Sequence, residues 1–200
     1  MTDTQTLKQA AADHGVSELI ARRFSPYAWL DRPVPDADLA AIFEAARWAA
    51  SAFNEQPARY IVARKADEAA WGDLLASLVE GNQAWAQSAP VLALGVVSER
   101  FARNDKPNAV AEHDLGLASA NLTLEATARG LYVHQMAGIQ PEVARERFGI
   151  PEGFKAFTGI AIGYADTQTD NERDRTPRTR RPASESVFTG HWGDAAPFLR

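Results

Sequence analysis

The chain has 200 residues, 46% apolar and 24% charged, with a formal net charge of -5 and no cysteine. That length suits one domain with a substantial core, and the acidic balance argues against a general affinity for nucleic acid. The missing cysteines exclude disulfides, thiol nucleophiles and thiolate metal sites. No apolar run approaches a membrane span. Residues 1–10 carry neither a basic leader with an apolar stretch nor a cleavage signature, so the expectation is a cytoplasmic protein without a membrane partner.

Residues 1–16 are polar and alanine-rich and read as a tail with a loose helix at most. Residues 17–23 can form a short helix broken at Pro26, which leaves Arg22, Arg23 and Ser25 where helix gives way to extended chain. Guanidiniums grip a phosphate bidentately and a serine hydroxyl adds a donor. The helix dipole alone also accounts for two arginines near a helix C-terminus. Leu39, Ile42, Phe43 and Ala46 then make one apolar stripe at helical spacing, with Asp36 after Pro35 in the place of an N-cap. That helix runs into residues 44–57, E-A-A-R-W-A-A-S-A-F-N-E-Q-P, and a strand is expected at 58–63. Ser51, Asn54 and Gln56 gather in this corner. Side chains that both donate and accept suit a ligand edge of mixed polarity, and equally a turn that satisfies its own backbone.

A second amphipathic helix is expected over 67–80, ended by Gly81 and Asn82, the two residues best tolerated in a left-handed conformation. Residues 90–97 form a continuous apolar run and predict a central strand. The polar loop 98–107 can carry part of a substrate mouth. Residues 108–129 predict the longest helix, with Ala111, Leu115, Ala118 and Leu122 on one face and Val110, Leu117, Leu124 and Ala128 on another. A helix apolar on several sides is buried on several sides, so it reads as a core helix that also meets a second subunit. A strand at 131–135, a short helix opened by Pro141 and a strand at 157–164 follow. Beyond 166 the chain turns polar and basic, with Arg173, Arg175, Arg178, Arg180 and Arg181 close together. A solvated linker explains such a run most simply. No dinucleotide fingerprint, phosphate loop or nucleophile elbow occurs, and neither Glu112 nor His113 is spaced with other ligand types for a metal.

Several stretches together closely resemble the nitroreductase family of FMN flavoproteins. They are A-R-W-A-A-S-A-F-N-E-Q-P-A-R-Y around the corner, the Arg23-x-Ser25 run, G-N-Q-A-W-A-Q-S-A-P-V, D-L-G-L-A-S-A-N-L-T-L-E-A-T-A-R-G-L, M-A-G-I and P-R-T-R-R-P-A-S-E-S-V-F-T-G-H-W-G. The family usually has Pro at the position of Ala50, often Trp at Ala58, and Arg or Lys at Tyr27. The resemblance runs from about Ser17 to the end. It implies an α+β fold, a mixed, mainly antiparallel sheet flanked by helices, with a long central dimer-interface helix and an extended C-terminal arm. One domain, 1–200, is expected, with 1–16 as a tail and 171–200 as basic segment and arm.

The resemblance also implies a cofactor site. Arg22, Arg23, Phe24, Ser25 and Tyr27 would meet the FMN phosphate and flavin edge, with Arg178 and Arg180 returning to the phosphate. Ser51, Ala52, Asn54 and Gln56 would line the pocket across a subunit boundary, and Asn82 would face the ring or ribityl chain. Met136, Ala137 and Gly138 would bring a backbone N–H to the flavin, where a residue without Cβ permits close approach. The implied activity is a homodimeric oxidoreductase that takes hydride from NAD(P)H and reduces a nitroaromatic, quinone or similar small acceptor in ping-pong order. The flavin carries that chemistry, so no essential acid, base or nucleophile is expected. Three alternatives stay open: a flavin-binding protein without turnover, a member dedicated to one biosynthetic or dehalogenating step, and a helical interaction module with a basic tail, which would be colourless.

Overall fold

Residues 3–199 are described by the structure, a computed structural model. Its centre is a sheet of β1 (Ala58–Arg64), β2 (Val91–Ser98), β3 (Tyr132–Met136) and β4 (Phe154–Gly163), in the spatial order β1-β2-β4-β3. All three pairings are antiparallel among the described residues, in keeping with the mainly antiparallel sheet expected. β4 begins at Phe154 rather than at 157. Gly95 pairs with Thr158 and Val96 with Ala156, so Phe157 is an extra, bulged residue that interrupts the alternation there.

Eight helices surround the sheet among the described residues: α1 (Thr4–Leu7), α2 (Glu18–Arg22), α3 (Asp36–Arg47), α4 (Glu68–Ala76), α5 (Glu80–Ala86), α6 (Ala111–Ala128), α7 (Pro141–Phe148) and α8 (Glu172–Arg175). Leu39 and Ile42 of α3 and Leu122 and Ala126 of α6 pack with Val91, Ala93, Ile160 and Ile162. On the opposite face Leu74, Leu78 and Ala144 join Leu92, Leu94, Tyr132 and Met136. β2 therefore has helices on both sides, which is why its sequence is a continuous apolar run. Each fully buried leucine or isoleucine contributes about 1.5–3 kcal/mol, so the two apolar layers dominate the stability of the frame. Ala111, Leu115, Ala118 and Leu122 of α6 face inward as expected. Val110, Leu117 and Ala128 lie at the surface with Gly116 and Ala120, and Leu124 is half-buried.

Three local expectations are corrected. Pro35, extended at φ -60° and ψ 148°, occupies the N-cap of α3 with no side-chain cap, which puts Asp36 at the first helical position, where it pairs with Arg64 at 2.5 Å. Residues 67–80 do not form one helix. α4 stops at Ala76, Val79 is extended, Gln140 N–H donates to Ser77 O at 2.7 Å and Val79 N–H to Gly138 O at 3.1 Å. Pairing with 138–140 overrides the helical periodicity, so Gly81 and Asn82 open α5 rather than cap its predecessor. The N-terminal segment is also tied down. Thr4 N–H donates to Thr167 O at 3.0 Å, Ala10 N–H to Ala21 O at 2.9 Å, and Lys8 Nζ to Arg173 O at 2.5 Å. Among the described residues no helix is long and apolar enough to cross a membrane.

Candidate functional site

The C-terminal segment folds back under the chain that leaves α2. Asn171 caps α8, its Oδ1 accepting from Arg173 and Asp174 N–H at 3.0 and 3.4 Å. This sets the Asp174 carboxylate, 1% exposed, beneath the backbone of Tyr27 and Ala28. It accepts from Tyr27 N–H at 3.0 Å to both oxygens and from Ala28 N–H at 2.9 Å. Burial pushes its pKa up, while those two N–H groups and the Lys8 charge pull it down. Further on, Arg178 spans back across the chain. Nε donates to Lys8 O at 2.6 Å, Nη1 to Arg23 O at 2.5 Å and Nη2 to Ala21 O at 2.7 Å, which satisfies carbonyls at the end of α2.

Arg178 thereby stands beside Arg23, 155 residues away in the chain, with Arg180 nearby. Burial first, then the Arg180 charge, holds the Arg23 guanidinium below its ordinary pKa. Arg178 is lowered by burial, then by Arg23 and Arg180. Among the described residues none of the three is ion-paired with a carboxylate. Ser25 adds a hydroxyl 3.3 Å from Arg23 Nη1, and Arg22 Nε is buried without a hydrogen-bond partner among the described residues. Phe24, 1% exposed, packs on Tyr132 with ring centroids 4.6 Å apart, so its side chain belongs to the core.

From this basic corner an aromatic wall leads to the middle of β3. The Tyr27 ring meets His134 edge-on at 4.7 Å and Trp85 at 5.1 Å, Trp85 and His134 stack at 4.3 Å, and the Arg173 guanidinium lies 4.8 Å over Tyr27. His134 Nδ1 lies 2.8 Å from Pro26 O; a carbonyl only accepts, so Nδ1 carries the proton. Burial lowers its pKa. One turn before Trp85 on α5, Asn82 Nδ2 donates to Gly138 O at 2.9 Å. A Cβ on Gly138 would stand 2.5 Å from that Nδ2 and 2.8 Å from Val79 Cγ2. A side chain there would have to displace the Asn82 amide or the Val79 methyl, so the neighbours alone favour a glycine. Its N–H meets no protein acceptor among the described residues. Met136 is buried and its carbonyl accepts from Thr158 Oγ1 at 3.1 Å, while Ala137 is exposed.

The corner after α3 stands apart from this group, and no hydrogen bond joins the two among the described residues. Ala52 N–H donates to Asp114 Oδ2 at 3.0 Å, which fixes the corner to the first turn of α6. Ser51 Oγ accepts from Gln56 N–H at 2.9 Å and Gln56 Nε2 donates to Asn54 O at 3.2 Å. These bonds satisfy much of the turn internally, yet the Asn54 side chain stays exposed and unbonded among the described residues. A cavity of about 310 Å³ beside the corner is lined by Phe43, Ser51, Gln56, Tyr60, Asp114 and Ala118, among others.

A family model described as Nitroreductase family matches residues 20–164. The chain belongs to the nitroreductase family. Membership makes it an oxidoreductase. A Mycolicibacterium smegmatis protein of 15.4 kDa is 36% identical over 125 residues, 60% of this chain and 83% of that protein. A Streptomyces coelicolor relative with a provisional NADH dehydrogenase/NAD(P)H nitroreductase name is 30% identical over 157 residues, 69% of this chain and 77% of its own. A solved oxidoreductase containing FMN superposes with a TM-score of 0.85 at 32% identity, over 97% of this chain and 100% of that one.

Set beside its nitroreductase relatives, this chain shows features that sequence reading missed. Asp174 sits inside an arginine run and reads there as a stray surface acid. Trp85 and His134 lie apart in sequence, and only the approach of α5 to β3 stacks them. The one available signal for Asp114 is its place in the first turn of a long helix, where an acid is favourable on dipole grounds alone.

Proposed function

We propose that this nitroreductase-family chain is an FMN-dependent oxidoreductase, working as a homodimer, that takes electrons from NAD(P)H and reduces a nitroaromatic, quinone or similar acceptor in ping-pong order. The observation that carries the reading is the gathering of Arg23, Arg178 and Arg180 with no carboxylate partner among the described residues. Three like charges repel, and partial burial of two of them adds a desolvation cost. A phosphate dianion offsets both. Three of Arg178's N–H groups are spent on Lys8, Arg23 and Ala21 carbonyls, so it serves as both clamp and charge. Arg23, Ser25, Arg22 and Arg180 supply the freer donors. At the other end the unused Gly138 N–H suits a polar ring edge, and the Asn82 amide, anchored to Gly138 O, keeps its oxygen free as an acceptor.

FMN, when bound there, supplies the exchange of hydride with the two substrates. The chain binds and orients. His134 commits its Nδ1 proton to Pro26 O, and Tyr27 offers a ring rather than a cation. Ser51, Asn54 and Gln56 lie away from the basic corner within one chain, which fits a second copy supplying them to the pocket. The exposed Val110–Leu117–Ala128 face of α6 gives that copy an apolar surface to bury.

The test compares FMN with riboflavin by flavin fluorescence titration. Charge-assisted hydrogen bonds contribute about 1.5–3 kcal/mol each, so riboflavin binding should be at least roughly tenfold weaker. Equal affinities would sink the reading. Steady-state NAD(P)H oxidation with a quinone should give parallel double-reciprocal lines, and converging lines would refute the order.

A further inference from the structure

Every described non-glycine residue with φ in the left-handed region lies in one of two loops. Phe53 (54°), Asn54 (57°) and Gln56 (52°) are in the corner after α3, and Asp105 (55°) is in the loop after β2. A bulky side chain is disfavoured there, and such residues persist where surrounding contacts over-determine them, often at ligand clamps. These two loops touch. Glu55 Oε1 accepts from Ala102 N–H at 2.7 Å, and the Phe53 and Phe101 rings meet edge-on at 5.9 Å. The second loop is closed on itself by Phe101 N–H donating to Lys106 O at 2.9 Å and by the Arg100–Pro107 bridge.

Arg103 completes the arrangement. Its guanidinium carbon lies 3.9 Å from the centre of the Phe53 ring and 5.4 Å from that of Phe101. Among the described residues it has no ion pair, whereas its neighbour Arg100 pairs with Asp105. Nor does it make a hydrogen bond among them. Phe53 is 74% exposed, so its strained backbone does not serve core packing. A guanidinium lying on aromatic faces keeps its N–H edge free, the geometry that grips a carboxylate. The rings beneath it offer a flat apolar surface.

We propose that Phe53, Phe101 and Arg103 form the recognition site for the electron acceptor, and that it selects planar acceptors bearing a negative charge. The inference rests on the function proposed above, because it takes Ser51, Asn54 and Gln56, which flank Phe53, to be flavin neighbours. For a nitroaromatic carboxylate the balance is ArNO2 + NAD(P)H + H+ giving ArNO + NAD(P)+ + H2O. The carboxylate is unchanged and serves only for binding.

The experiment uses the full-length flavin-loaded protein with 4-nitrobenzoate and its neutral analogue 4-nitrobenzamide, comparing wild type with Arg103→Gln and Arg103→Glu. Benzoate, which cannot be reduced, gives a direct calorimetric measure of binding to each. Wild type should prefer 4-nitrobenzoate in kcat/KM, and Arg103→Gln should lose about tenfold with it while staying within about twofold on 4-nitrobenzamide. Benzoate affinity should fall in parallel, and further in Arg103→Glu. If Arg103→Gln lowers both acceptors equally, the residue merely braces the two loops and the inference fails. It fails too if wild type shows no charge preference. A wild-type protein that takes up no flavin overturns the proposed function, and this inference with it.

Discussion

Replacing Asp174 by alanine tests the link between the C-terminal fold-back and the basic corner. Its carboxylate accepts from the N–H groups of Tyr27 and Ala28 while 1% exposed. Hydrogen bonds to a charged group contribute about 1.5–3 kcal/mol each, so losing two amounts to about 3–6 kcal/mol before other changes. Removing the carboxylate also relieves a desolvation cost, the burial that pushes its pKa up. The net expectation for Asp174→Ala is a loss of about 2–4 kcal/mol. That is a large share of the roughly 5–15 kcal/mol typical of a domain. Asp174→Asn keeps one acceptor oxygen and should cost about half as much. Because Asp174 leads into the stretch that places Arg178 and Arg180, FMN affinity should fall more than riboflavin affinity. Urea unfolding followed by far-UV circular dichroism measures the first quantity, and paired flavin titrations measure the second. A change in stability below about 0.5 kcal/mol, or equal losses for the two flavins, would refute the reasoning.

Gly138→Ala should cost about 1–3 kcal/mol, since its Cβ would press on Asn82 Nδ2 and Val79 Cγ2; unchanged thermal stability with full flavin uptake would contradict this. The buried His134 has its folded-state pKa held below the ordinary 6.5. As pH falls through that value the unfolded chain takes up the proton first, so the stability is full above it and declines below it. The urea midpoint should therefore drop between about pH 7.5 and 5.5, and His134→Gln should flatten that slope; a slope unchanged by the substitution would remove His134 as its source. Deleting 184–200 removes Phe188 and Trp192, which pack at 4.9 Å, with Trp192 91% exposed. If this arm docks on a second copy, mass in solution and flavin content should fall together; a stable monomer holding FMN at native affinity would rule out a shared site.

Patterning along the chain was enough to place the main frame. The stripe Leu39, Ile42, Phe43 and Ala46 marked α3, the apolar run at 90–97 marked β2, and the two faces at 110–128 marked α6. Apolar spacing dominates the energy of such elements, so it is legible locally. Arg23, Ser25, Gly138 and Arg178 stand out in the sequence only through the nitroreductase pattern they share, and their role toward a flavin belongs to the proposed function. What they do in this chain depended on distant partners. Helix periodicity at 67–80 yielded to hydrogen bonds with 138–140, because tertiary backbone pairing outweighs a propensity of a few tenths of a kcal/mol per residue. Asp174 became an anchor, and Arg178 a clamp on α2, only when the C-terminal segment folded back across more than half the chain. Phe53 acquired its Arg103 partner across a separate contact between two loops. Local sequence carries the periodicity that burial selects, whereas charge pairing, desolvation and strain arise between segments that meet only in the folded chain.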